Sequence, residues 1–213
     1  MSNTGSVRRL FERAAVKDSC RKLIERGGWS EDLKLGRCHF PIGPRNTFSN
    51  IAYALAGLFG YLMHPGQIGG AFLFAMCALA LGSALYHGLK EVWANNMDWL
   101  GMYWVLFVLL FHESIGEGLA FGPMVVMAGI AAFAFSFMVQ ARFDALMGVA
   151  AVGISAVNAL IGNSLLAALG IMTFIVAYAF WNADKSEIGL WGHANWHILS
   201  AVALLCAFLS RHP

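Results

Sequence analysis

The chain has 213 residues, 59% of them hydrophobic and only 12% charged, with a mean hydropathy of +0.64. A soluble domain is nearer half apolar and a quarter charged, so this composition excludes a soluble globular fold, and with it disorder, collagen and coiled coil. The net charge of +2 is too small to indicate a nucleic-acid partner. A bilayer crossing takes about 20 apolar residues. The expectation is an all-α integral membrane protein: an N-terminal segment over residues 1–45, then a seven-helix transmembrane bundle over residues 46–213.

Residues 1–45 carry ten basic and five acidic residues and begin with polar and basic sequence, without a cleavable signal peptide. Within residues 7–26, Val7, Leu10, Phe11, Ala14, Leu23 and Ile24 recur at helical spacing among Arg and Lys. This predicts an amphipathic helix, lying either on an anionic membrane surface or on its own domain. Gly27, Gly28, Gly36, Pro41, Gly43 and Pro44 make residues 27–45 an irregular lead-in. Apolar length then places seven spans at about 47–63, 70–89, 98–112, 119–139, 144–161, 165–181 and 192–210. The third is short unless it begins a turn before Asp98. Abundant Gly and Ala suit close helix packing in lipid.

Cytoplasmic loops are enriched in Lys and Arg. With the N-terminus inside, the ten leading basic residues, Lys90, Arg142 and Lys185 all fall inside, and only Arg211 falls outside. The expected topology is N-terminus cytoplasmic and C-terminus outside. The absence of N-x-S/T sequons and the compact loops lean toward a bacterial inner membrane. Cys20, Cys38, Cys77 and Cys206 show no paired or metal-type spacing and read as unpaired packing residues.

Ionisable groups within a span are costly and point to function. Ser83 and His87 stand i, i+4 in S-A-L-Y-H near the end of the second span, and Asp98 opens the third. His193 and His197 stand i, i+4 in H-A-N-W-H at the start of the seventh. Three crossings between residues 113 and 190 return the seventh span to the face where the second ends. Three imidazoles with a fourth position left for water suit a catalytic zinc ion, one per chain, held by His87, His193 and His197. The ion makes that water acidic enough to supply a nucleophile at neutral pH. Asp98 is then placed as general base and acid, and Ser83 as the donor to the oxyanion. His39, His64 and His212 lie outside the spans, and His112, Glu113 and Glu117 read as a solvated loop at the opposite face.

Five stretches, in this order and spacing, closely resemble the alkaline ceramidase family: N-T-F-S-N (46–50), L-G-S-A-L-Y-H (81–87), Asp98 in M-D-W-L-G-M-Y-W, F-W-N-A-D (180–184) and G-H-A-N-W-H-I-L (192–199). That family belongs to a wider group of seven-helix membrane hydrolases that includes adiponectin-receptor and haemolysin III-like proteins. The resemblance covers about residues 44–205. It implies a zinc-dependent intramembrane amidase that cleaves the N-acyl bond of ceramide, or of a related N-acyl lipid, to an amine base and a fatty acid. By position it assigns zinc to His87, His193 and His197 and the rest of the site to Ser83 and Asp98. The animal enzymes build a calcium site from an acid-rich N-terminal segment and a Glu three residues before N-T-x-S-N. Here that position is Gly43, and only Trp29, Glu31 and Asp32 are faintly similar, which argues against calcium dependence. Asp98-Trp99 replaces the Asp-Glu frequent in the family, so headgroup contacts are expected to differ.

Competing classes make distinct demands. A retinal protein needs a lysine within a span, and the five lysines lie in the N-terminal segment or connectors. A transporter calls for polar residues at mid-bilayer, where Asn158 is the one obvious candidate. The alternative that stays open is an adiponectin-receptor or haemolysin III-like membrane protein with a structural zinc and a receptor or other non-ceramidase lipid role.

Overall fold

A computed structural model of the chain describes residues 40–111, 153, 162–185 and 192–211. Among the described residues all regular structure is helical: α1 (Pro44–Ser49), α2 (Ile51–Met63), α3 (Gln67–Leu89), α4 (Val92–Leu110), α5 (Ser164–Lys185) and α6 (Gly192–Leu209). The expected amphipathic helix at 7–26 and the spans at 119–139 and 144–161 lie outside the described residues.

Among the described residues, three helices are long and apolar enough to cross a membrane: Gln67–Leu89, Ser164–Asp184 and Gly192–Leu209. The segment expected to span at 47–63 forms two shorter helices, α1 and α2, neither of which is among those three; they join at Asn50, whose φ of −65° and ψ of −15° keep the turn helical. The helix in the region of the third expected span begins six residues before Asp98. Helix α4 starts at Val92 and takes in Asn95, Asn96 and Asp98, so its first turns are polar while its second half is apolar.

Local sequence explains where the helices stop and start. Pro44 sits in the first turn of α1, where its missing N–H has no intrahelical partner in any case. Gly66 adopts φ 127° before α3, a conformation that suits glycine. Lys90 ends α3 in the left-handed region, φ 58°, with its N–H donating to the Tyr86 carbonyl, an end more often made by glycine. The main-chain N–H groups of Ile42 and Gly43 donate to the Gly88 and His87 carbonyls at 3.1 Å. They satisfy carbonyls that the end of α3 leaves open and fix the lead-in against it. Asn163 caps α5, its Oδ1 accepting from the N–H groups of Leu165 and Leu166.

Helix α3 is central, packing on α1, α2 and α4, while α6 packs on α1, α2 and α5. Phe72 of α3 stacks on Phe208 of α6, with centroids 4.2 Å apart and planes at 8°, inside a core that includes Met76, Leu79, Val105 and Val108. Helices α3 and α4 touch backbone to backbone: a Cβ on Gly82 would come 2.4 Å from the Met97 carbonyl oxygen, and one on Gly101 2.4 Å from the Leu79 Cα. Those two glycines draw Asp98 against α3. Outward, Leu165, Leu169, Met172 and Ile175 line an exposed face of α5, as an apolar solvent requires. Cys77 and Cys206 are free thiols, in keeping with the unpaired reading.

Candidate metal centre

Two helix ends build the centre. His87 lies in the last turn of α3, and His193 and His197 lie in the first two turns of α6, one above the other as their i, i+4 spacing requires. The side chains meet although 106 positions separate His193 from His87. All three are buried, at 1%, 4% and 2% exposure for His87, His193 and His197. Their ring centroids stand 4.6 Å (His87–His193), 4.9 Å (His87–His197) and 4.5 Å (His193–His197) apart.

One ligand nitrogen from each ring lies within 4.8 Å of the other two. Nitrogens about 2.0–2.1 Å from a tetrahedral metal stand about 3.4 Å from one another, so the group needs shifts of no more than about an ångström to hold an ion. The set is chemically apt as well: three neutral imidazoles suit borderline divalent metals such as zinc, copper, iron and nickel better than calcium or magnesium, which prefer oxygen.

The surrounding polar groups act on this trio. The Ser49 hydroxyl of α1 lies 2.7 Å from His197 Nδ1. His193 Nε2 and His87 Nε2 are 3.0 Å apart, a separation that one N–H between them bridges. Lys90 Nζ lies 3.3 Å from His87 Nδ1 and 5.2 Å above the Tyr86 ring. As an ammonium it donates to Nδ1, which leaves the His87 proton on Nε2, directed at His193. Metal ligation through His87 Nε2 requires that proton to leave or to move to Nδ1. Binding is therefore coupled to the Lys90 contact and to proton release.

Ser83 is buried one turn before His87 and is the side-chain hydrogen-bonding partner of Asp98. Asp98 also lies within electrostatic reach of Lys90 and Tyr53 but stands outside the three-nitrogen group. A hydroxyl has one proton. While Ser83 gives it to the carboxylate, it has none for a substrate oxygen, so the two roles assigned to this pair are exclusive at any instant.

All five residues singled out in the sequence thus gather at one end of the described bundle. His64 instead ends α2, its ring edge-on to Phe208 at 6.0 Å. His39, His112, Glu113, Glu117, Asn158 and His212 lie outside the described residues. Two participants escaped the sequence reading. Lys90 counted only as a connector charge, yet it is 2% exposed; the sequence signal was its place three residues after His87, one turn on. Ser49 was visible only as a letter in N-T-F-S-N, because its partner lies 148 residues away.

Compared with known protein families, the chain matches none, and no curated protein matches its sequence.

Proposed function

We propose that this chain is a zinc-dependent amidase of membrane lipids, a seven-helix intramembrane hydrolase of the alkaline ceramidase kind. It cleaves the N-acyl bond of ceramide or a related N-acyl lipid to an amine base and a fatty acid. The observation that carries the reading is the buried cluster of three imidazoles, His87, His193 and His197, with a hydrogen-bonded acid beside it. Buried imidazoles at the ends of apolar helices are costly to keep, and a shared divalent ion repays that cost.

His87, His193 and His197 would hold the ion. When bound, zinc polarises a carbonyl and acidifies water, supplying a nucleophile at neutral pH. The protein's own groups do the rest. Asp98 takes the proton that water gives up as its oxygen bonds the amide carbonyl carbon, and delivers it to the nitrogen as the C–N bond breaks. The Ser83 proton holds the carboxylate in place between these events and steadies negative charge on the carbonyl oxygen when Asp98 is protonated. The apolar faces of α2 and α5 keep the site within lipid, where an acyl chain is soluble and its amide can reach the helix ends.

The experiment is a hydrolysis screen. Purified protein in mixed micelles is given N-acyl lipids that include ceramides of several chain lengths, and free fatty acid is measured. The reading predicts release that a chelator abolishes, zinc restores and Asp98→Asn suppresses. Stoichiometric zinc with no hydrolysis of any amide or ester lipid would assign the chain instead to a receptor-like role with zinc as a structural clamp.

A further inference from the structure

Ser49 of α1 reaches across to α6 and touches a ring nitrogen of the histidine cluster. Its Oγ stands 2.7 Å from His197 Nδ1 and 3.1 Å from the Asn46 carbonyl oxygen, to which it donates. With its only proton so directed, Ser49 accepts from the ring, and Nδ1 must carry the hydrogen. The Asn46 main chain is a second hydrogen-bonding partner of the same imidazole. A neutral imidazole has one N–H, so Nε2 is left with its lone pair facing His87 and His193.

We infer that Ser49 is a positioning residue for the metal centre: it fixes the tautomer and the ring angle of His197 so that Nε2 is ready to ligate. The inference rests on the metal reading given above and names a component that reading did not contain. A hydrogen-bond acceptor behind a ligating histidine commonly contributes about tenfold to a hundredfold in metal affinity.

A neighbouring contact supplies the control. Tyr53 Oη and Ser200 Oγ are 2.7 Å apart and link α2 to α6; the Tyr53 ring packs 5.9 Å from the His197 ring, which phenylalanine would preserve, and neither oxygen touches a ring nitrogen of the cluster in that bond. Tyr53→Phe therefore removes one hydrogen bond to α6 without freeing an imidazole.

The test measures zinc affinity by chelator competition on the full chain in detergent, together with the visible spectrum of the cobalt-loaded protein. Ser49→Ala is expected to bind zinc at least about tenfold more weakly and to shift the cobalt bands, whereas Ser49→Thr, which keeps an oxygen there, stays near wild type. Tyr53→Phe is expected to change affinity by less than about twofold. If Ser49→Ala does not fold, Ser49→Cys, a far poorer acceptor, is expected to show the same loss. Wild-type affinity in Ser49→Ala, or an equal loss in Tyr53→Phe, would overturn the positioning role while leaving the metal reading intact. A wild type that binds neither zinc nor cobalt would overturn the metal reading and this role with it.

Discussion

Each of the three histidines has a different second contact, and this makes their substitutions distinguishable. His87 faces Lys90, His197 faces Ser49, and His193 faces His87. His87→Ala removes one ligand and is expected to lower zinc affinity by more than about a hundredfold, beyond what an outer contact costs, as chelator competition would report. Asp98→Asn is expected to behave in the opposite way. Because Asp98 stands outside the donor group, metal content should persist while turnover falls by about 10²–10⁴-fold; loss of metal in this variant would make Asp98 a ligand instead. The Ser83–His87 and His193–His197 pairs were legible in the sequence because spacing of i, i+4 fixes a shared helix face whatever the fold. Lys90 was not. A lysine just past an apolar run reads as a loop charge, and only the left-handed turn at φ 58° carries its stem back along Tyr86 toward His87.

Small residues decide how closely the helices approach, and through that where Asp98 sits. Gly82 and Gly101 let α3 and α4 meet at main-chain distance, and Ser83 and Asp98 are the residues beside that contact. Gly82→Ala is expected to cost about 1–3 kcal/mol through overpacking and to reduce turnover by displacing Asp98. Gly70→Ala, in the same helix with nothing within 4 Å of the added Cβ, is expected to be neutral or to stabilise by up to about 1 kcal/mol, since alanine favours helix over glycine. Thermal unfolding of the two variants in the same detergent checks both signs. Helix lengths were legible from apolar runs, and so was the early start of α4, because a 98–112 span is too short. The joint at Asn50 was not, since N-T-F-S-N offers no breaker and the chain stays helical through it.

For the whole molecule, three of the described helices are long and apolar enough to cross a membrane, and the histidines lie at the end of α3 and the start of α6. Stripping the ion should lower the melting temperature by mass action without changing helix content, because the Phe72–Phe208 stack joins α3 to α6 without any of the three histidines. That the ends of α3 and α6 share one face followed from counting crossings; that they bring three nitrogens within 4.8 Å required the close packing itself. The most direct test of the central claim is elemental analysis of protein purified without chelator, beside His193→Ala prepared identically. The account predicts about one zinc per wild-type chain, as a closed set of three histidines and water holds, and little in the variant. Folded wild-type protein with no divalent metal, unable to take up zinc on addition, would contradict it.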